Sequence, residues 1–80
     1  MKYIVTDKMG EEEIFLFPQR VKHDDFASMM RLSMNIVSAG FVSRSEDGRL
    51  NCYGKSIKLK KESRPEEDLD LILKQFSFSM

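Results

Sequence analysis

The chain has no tryptophan, one histidine, one cysteine, two prolines and no excess of either charge among its 80 residues. Each scarcity excludes something. A lone cysteine forms no intrachain disulfide, so no covalent staple is expected. That usage fits a reducing compartment, and the cytoplasm is the simplest one. His23 and Cys52 alone leave little for nucleophilic or metal chemistry. No apolar run approaches the roughly 18–20 residues that a membrane span needs. The opening Met1-Lys-Tyr-Ile-Val-Thr-Asp7 turns polar too early for a signal peptide. Thirteen Lys and Arg balance thirteen Asp and Glu. Non-specific nucleic-acid binding normally rests on a basic excess, so nucleic acid is a partner the total charge does not favour.

What is present is a globular balance, with 41% hydrophobic and 32% charged residues. A chain this short buries only about 60–65% of its unfolded surface. One domain over residues 1–80 is expected, and a homodimer would add buried area.

Residues 2–6 read as a first strand, and Asp7 to Gly10 as a turn with Gly10 at positive φ. Residues 12–17 read as a second strand with apolar residues on both parities, hence central or covered on both faces. Pro18 ends it. A helix begins near His23-Asp24-Asp25, with Asp24 as N-cap. Phe26, Met29, Met30 and Ser33 fall on one helical face, beside Met34, and read as a methionine-rich core stripe. Residues 36–44 form a third strand, and Asp47-Gly48 is a hairpin signal. A two-residue loop there would set Phe41 opposite Gly54 and Val42 opposite Tyr53. Val37, Ala39 and Phe41 would then share a face with Leu50 and Cys52. Apolar parity switches from Leu50 and Cys52 to Ile57 and Leu59. A bulge at Gly54 would keep all four inside and turn Lys58 and Lys60 outward.

Ser63-Arg-Pro-Glu-Glu-Asp68 marks a helix start, with Ser63 or Arg64 as cap and Pro65 first in the helix. Leu69, Ile72, Leu73 and Phe76 make its expected buried stripe. The predicted order is β-β-α-β-β-α. It implies an α+β fold, a four-stranded antiparallel sheet with both helices on one face.

Enzyme chemistries fare poorly. Gly54-Lys55-Ser56 resembles the end of a phosphate-binding P-loop, but that motif needs a glycine where Arg49 stands. Cys52 has the parity of a buried and inert thiol. Adjacent His23, Asp24 and Asp25 cannot all face one ion, so no metal is expected; nothing calls for a cofactor. The triplets Glu11-Glu12-Glu13 and Glu66-Glu67-Asp68 read as solvated charge.

Binding remains. Tyr53, Lys55, Ser56, Lys58, Lys60 and Arg64 gather an aromatic, a hydroxyl and four cations near one expected irregularity. Two readings stay open: an edge strand guarded by lysines, and a site for an anionic group. Leu71, off the helix stripe, and Phe78, in the tail, are candidate oligomer or partner contacts. Gly40 would admit close approach of another backbone.

Three phrases, Val37-Ser-Ala-Gly-Phe-Val42, Cys52-Tyr-Gly-Lys-Ser56 and Ser63-Arg-Pro-Glu-Glu-Asp68, resemble short uncharacterised proteins encoded by bacteriophages and prophages. The resemblance spans about residues 36–71 and carries no catalytic signature. It implies an infected bacterial cytoplasm as the setting. It also implies an accessory, anti-defence role such as an anti-CRISPR protein, another protein inhibitor or a sponge for nucleotide signals. The resulting expectation is a non-enzymatic protein that binds a host protein or an anionic nucleotide ligand. In the nucleotide case Tyr53 would stack a base and Lys55, Ser56, Lys58 and Arg64 would meet phosphate. The alternatives are a structural or regulatory homo-oligomer and a small nucleic-acid-binding regulator.

Overall fold

The computed structural model describes residues 1–32 and 35–76. Ser33, Met34 and Phe78, which the sequence reading assigned to core and contact, lie outside the described residues. The elements are β1 (Lys2–Lys8), β2 (Glu11–Phe17), α1 (His23–Met29), β3 (Ile36–Arg44), β4 (Leu50–Tyr53), β5 (Lys55–Ser56), β6 (Lys61–Glu62) and α2 (Pro65–Gln75). An antiparallel sheet runs β2-β1-β3-β4, and β5 pairs with β6 in a separate small hairpin. The fold is α+β, as the patterning predicts.

The placement of the helices corrects the expectation. Tyr3, Ile4 and Val5 follow one another in β1 and are all fully buried. Successive strand side chains point to opposite faces, so burying all three requires cover on both sides. Tyr3 and Val5 join Ile14, Val42, Cys52 and Ile72 of α2 in one core. Ile4 joins Phe17, Ile36, Ala39 and Ala27 of α1 in a second core. The helices therefore sit on opposite faces of the sheet. β2 has the two-sided cover that its parity implies, but it is an edge strand, and β1 and β3 are central.

Turn chemistry sets the register. Met9 and Gly10 both take positive φ in the β1–β2 turn, and the Asp7 carboxylate accepts the Gly10 N–H at 2.9 Å. The β3–β4 loop holds three residues rather than two. Gly48, at φ +88, donates to the Ser45 carbonyl, and Ser45 N–H bonds the Arg49 carbonyl at 2.8 Å. The extra residue slips the pairing by one. Val42 faces Cys52 and Phe41 faces Tyr53, so Cys52 shares a face with Val42, not with Ala39 and Phe41.

Both helices depart from their expected stripes. Lys22, not Asp24, is the N-cap of α1. The inward face is His23, Phe26 and Ala27, while Met29 is 69% exposed. The helix stops because Arg31 turns left-handed at φ +55. Leu32 N–H reaches the Ala27 carbonyl at 2.8 Å and Arg31 N–H reaches Ser28 at 3.2 Å, a Schellman closure. In α2, Arg64 is the cap and Pro65 the first residue. Asp68 and Ile72 are buried, Leu71 packs on the core, and Leu73 is 55% exposed.

Candidate functional site

The site grows from a close contact at Gly40. A Cβ built there would lie 2.5 Å from the Tyr53 carbonyl and 3.0 Å from Ser63 Cβ. The close approach expected of Gly40 is thus present. β4 ends here, and the chain turns at Gly54 with φ +79. The Phe41 ring covers that glycine, 2.8 Å from where a Cβ would stand. The irregularity at Gly54 is therefore an exit from the sheet rather than a bulge within a continuing strand.

Beyond it, Lys55 pairs with Glu62 and Ser56 with Lys61. Ser63 N–H bonds the Gly54 carbonyl at 3.0 Å and closes the base of this hairpin. Ser56 is buried. Its hydroxyl accepts the Leu59 N–H at 3.2 Å and so shapes the tip instead of facing a ligand. Lys60 adopts φ +57. Leu59 packs against the α1-side core. Ile57, expected inside, is 79% exposed at the tip. With the sheet register broken at Gly54, parity no longer ties Ile57 to the core.

Lys55, Lys58, Lys60 and Lys61 are exposed. Among the described residues none of the four lies within ion-pair distance of a carboxylate. A concavity of about 230 Å³ is lined by Lys55, Ser56, Ile57, Lys60, Lys61 and Glu62. Tyr53, two residues before the hairpin, is 49% exposed and stacks on Phe41 with ring centroids 5.8 Å apart.

Arg64 does not join these cations. Its guanidinium forks onto Glu12 with two 3.0 Å bonds and reaches Asp68 Oδ1 at 2.9 Å. Hydrogen bonding to Glu12, followed by that to Asp68, holds the guanidinium still more firmly charged than usual. Asp68 is 0% exposed. Its Oδ2 accepts the Tyr3 hydroxyl at 2.5 Å and the Arg64 backbone N–H at 2.8 Å. Its Oδ1 accepts the Ser38 hydroxyl at 2.9 Å and Arg64 Nε at 3.1 Å. Burial first, then Asp68, pushes the Tyr3 hydroxyl above its ordinary range. Glu12 and Asp68 were read as solvated charge. They are instead the two anions of one network, with Asp68 buried at its centre and Glu12 half-buried at its rim. One available signal was the four-residue spacing of Arg64, Asp68 and Ile72 along one helix face.

The two conventional catalytic side chains are separated by the sheet. Cys52 belongs to the α2-side core, where burial, then the Asp68 charge, pushes its thiol up to about 11. His23 lies on the α1 side. Its Nε2 is 2.9 Å from the Gly40 carbonyl, which can only accept, so Nε2 carries the proton. Burial, the largest influence, lowers the His23 pKa below its ordinary value.

Against protein-family models, curated proteins and solved structures, the chain finds no match. These comparisons add no support to the likeness drawn over residues 36–71. Leu71, offered as a partner contact, packs on the α2-side core, so its position off the expected stripe reflects a rotated helix face. The functional reading rests on the hairpin and Tyr53.

Proposed function

We propose that this chain is a non-enzymatic binding protein that captures an anionic host factor with its lysine hairpin, thereby sequestering or inhibiting it. The observation that carries the reading is the hairpin itself. Lys55, Lys58, Lys60 and Lys61 stand exposed around a tip on which Ile57 is also exposed. Hairpin pairing, the Ser56 turn bond and the packing of half-buried Leu59 hold that display in place. A preformed cluster of cations draws an anionic partner from a distance and loses little freedom on binding. The separation of Cys52 from His23 supports a binding role over nucleophilic catalysis. The setting we propose is the cytoplasm of an infected bacterium, as the resemblance over residues 36–71 implies.

Titration calorimetry with cyclic oligonucleotides, other nucleotide signals and an acidic polypeptide tests this. Heat is expected from at least one of them. It should vanish in a variant carrying Lys58→Glu and Lys61→Glu. No heat from any anion, or heat that survives charge reversal, overturns the proposal.

A further inference from the structure

An aromatic row crosses the α1 side of the sheet and ends in solvent. Phe26 stacks on Phe17 at 4.1 Å between centroids. His23 meets Phe17 edge-on at 5.4 Å and Phe41 edge-on at 5.5 Å. Phe41 in turn carries Tyr53. Lys2 Nζ is fixed by the Val21 carbonyl at 2.9 Å and stands 6.0 Å from the centre of the Phe41 ring. Every ring before Tyr53 is at least partly buried, whereas Tyr53 is half in solvent. Its orientation is set by Phe41, so a further ring can stack on it with little ordering cost.

From the juxtaposition of the Tyr53 ring with the lysine hairpin that follows it, we infer that the chain binds single-stranded nucleic acid. An unpaired base stacks on Tyr53, and the adjoining phosphates follow the lysines. This rests on the anion-binding reading above and names its ligand class. Stacking on an exposed aromatic beside a cationic track is how single strands are held without sequence readout. Lys55, Lys58, Lys60 and Lys61, on the two arms and the tip of the hairpin, offer a strand's phosphates more than one point of contact. A duplex hides its base faces, so it should be the weaker ligand. The zero net charge disfavours nucleic acid over the whole surface, but the hairpin's own exposed charges are cationic apart from Glu62.

The test is fluorescence anisotropy with a labelled oligothymidylate, alongside the same length of duplex, a cyclic dinucleotide and polyglutamate. Tyrosine emission gives a second readout, because Tyr3 is buried and Tyr53 is the tyrosine that a stacked base would quench. Binding should favour the single strand and quench that emission. Tyr53→Ala should weaken it about tenfold or more, while Tyr53→Phe should stay within about threefold. Lys58→Glu with Lys61→Glu should weaken it further and flatten the fall in affinity between about 50 and 200 mM salt. If Tyr53→Ala binds like the parent while lysine reversal abolishes binding, stacking is overturned and anion binding survives. Equal binding of duplex, or preference for the dinucleotide or polyglutamate, also overturns the inference. Indifference to every polyanion overturns both readings. Melting curves of each variant matching the parent keep these outcomes free of folding defects.

Discussion

The Tyr3 hydroxyl donates a 2.5 Å hydrogen bond to Asp68, 65 positions later in the chain. That contact ties β1, a central strand, to α2. It sits at the centre of a network in which both Asp68 oxygens are doubly satisfied and Arg64 carries the charge outward to Glu12. A buried carboxylate is tolerable only when so paired.

Removing one member should therefore cost more than an ordinary hydrogen bond. Asp68→Ala strands four donors, the Tyr3 and Ser38 hydroxyls and the Arg64 backbone N–H and Nε, and should lower stability by about 3 kcal/mol. Tyr3→Phe removes one donor and should cost about 1–2 kcal/mol. Urea unfolding measures both. The double variant should fall short of the sum, because the two side chains share one bond.

Gly40 has a second, steric consequence. Its missing Cβ leaves the 2.5 Å gap into which the Tyr53 carbonyl fits. A backbone atom cannot swing aside as a side-chain tip can. Gly40→Ala should cost about 2–3 kcal/mol and loosen the junction between β4 and the hairpin. Amide exchange should rise most at Ser63, whose N–H closes the hairpin base.

His23 gives the fold a pH dependence with a definite sign. Its folded pKa lies below the ordinary value of 6.5, so the unfolded chain takes up the proton first. The stability that depends on neutral His23 is complete above that ordinary value. It drains away as pH falls from there toward the folded pKa. Stability measured from about pH 7.5 down to about pH 5 should decline. His23→Gln, which keeps an N–H donor but cannot titrate, should flatten that slope. An unchanged slope would assign the decline to carboxylates instead.

Much of the architecture could be read from residue pattern alone, for identifiable reasons. Pro65 with Arg64 before it marked the start of α2, and Asp7 to Gly10 and Asp47-Gly48 marked two turns. The misreadings have two sources: contacts distant in sequence, and a loop held by its own side chains. Two-sided burial of Tyr3-Ile4-Val5 decides where the helices lie, yet no local period reports it. The Ser45 hydroxyl bonds the Asp47 carboxylate and the Arg49 carbonyl, which supports the longer loop and slips β4 by one. The apolar parity switch after Cys52 coincides with an exit from the sheet, and of the two residues it placed inside, Leu59 packs on the core while Ile57 is exposed.

The candidate site was legible to the same degree. Tyr53, Lys55, Lys58 and Lys60 were singled out by type and spacing, and they lie exposed on or beside one hairpin. Ser56 and Arg64 had the right chemistry for an anion but are engaged by Leu59, Glu12 and Asp68. Gln75 escaped notice altogether. Its amide pairs with the Ile14 backbone, donating at 2.8 Å and accepting at 3.0 Å, much as a strand would. Nothing in a helical glutamine announces that.

The Gln75 amide and Asp68 also impose an order on biosynthesis. Residues 3 and 14 leave the ribosome well before residues 68 and 75. Until α2 emerges, the nascent β1–β2 hairpin has an unpaired outer edge at Ile14, an unbonded Tyr3 hydroxyl and one apolar face uncovered. Domains complete as units during synthesis. Helix α2, made well after the first hairpin, is therefore the element that shields it from neighbouring nascent chains.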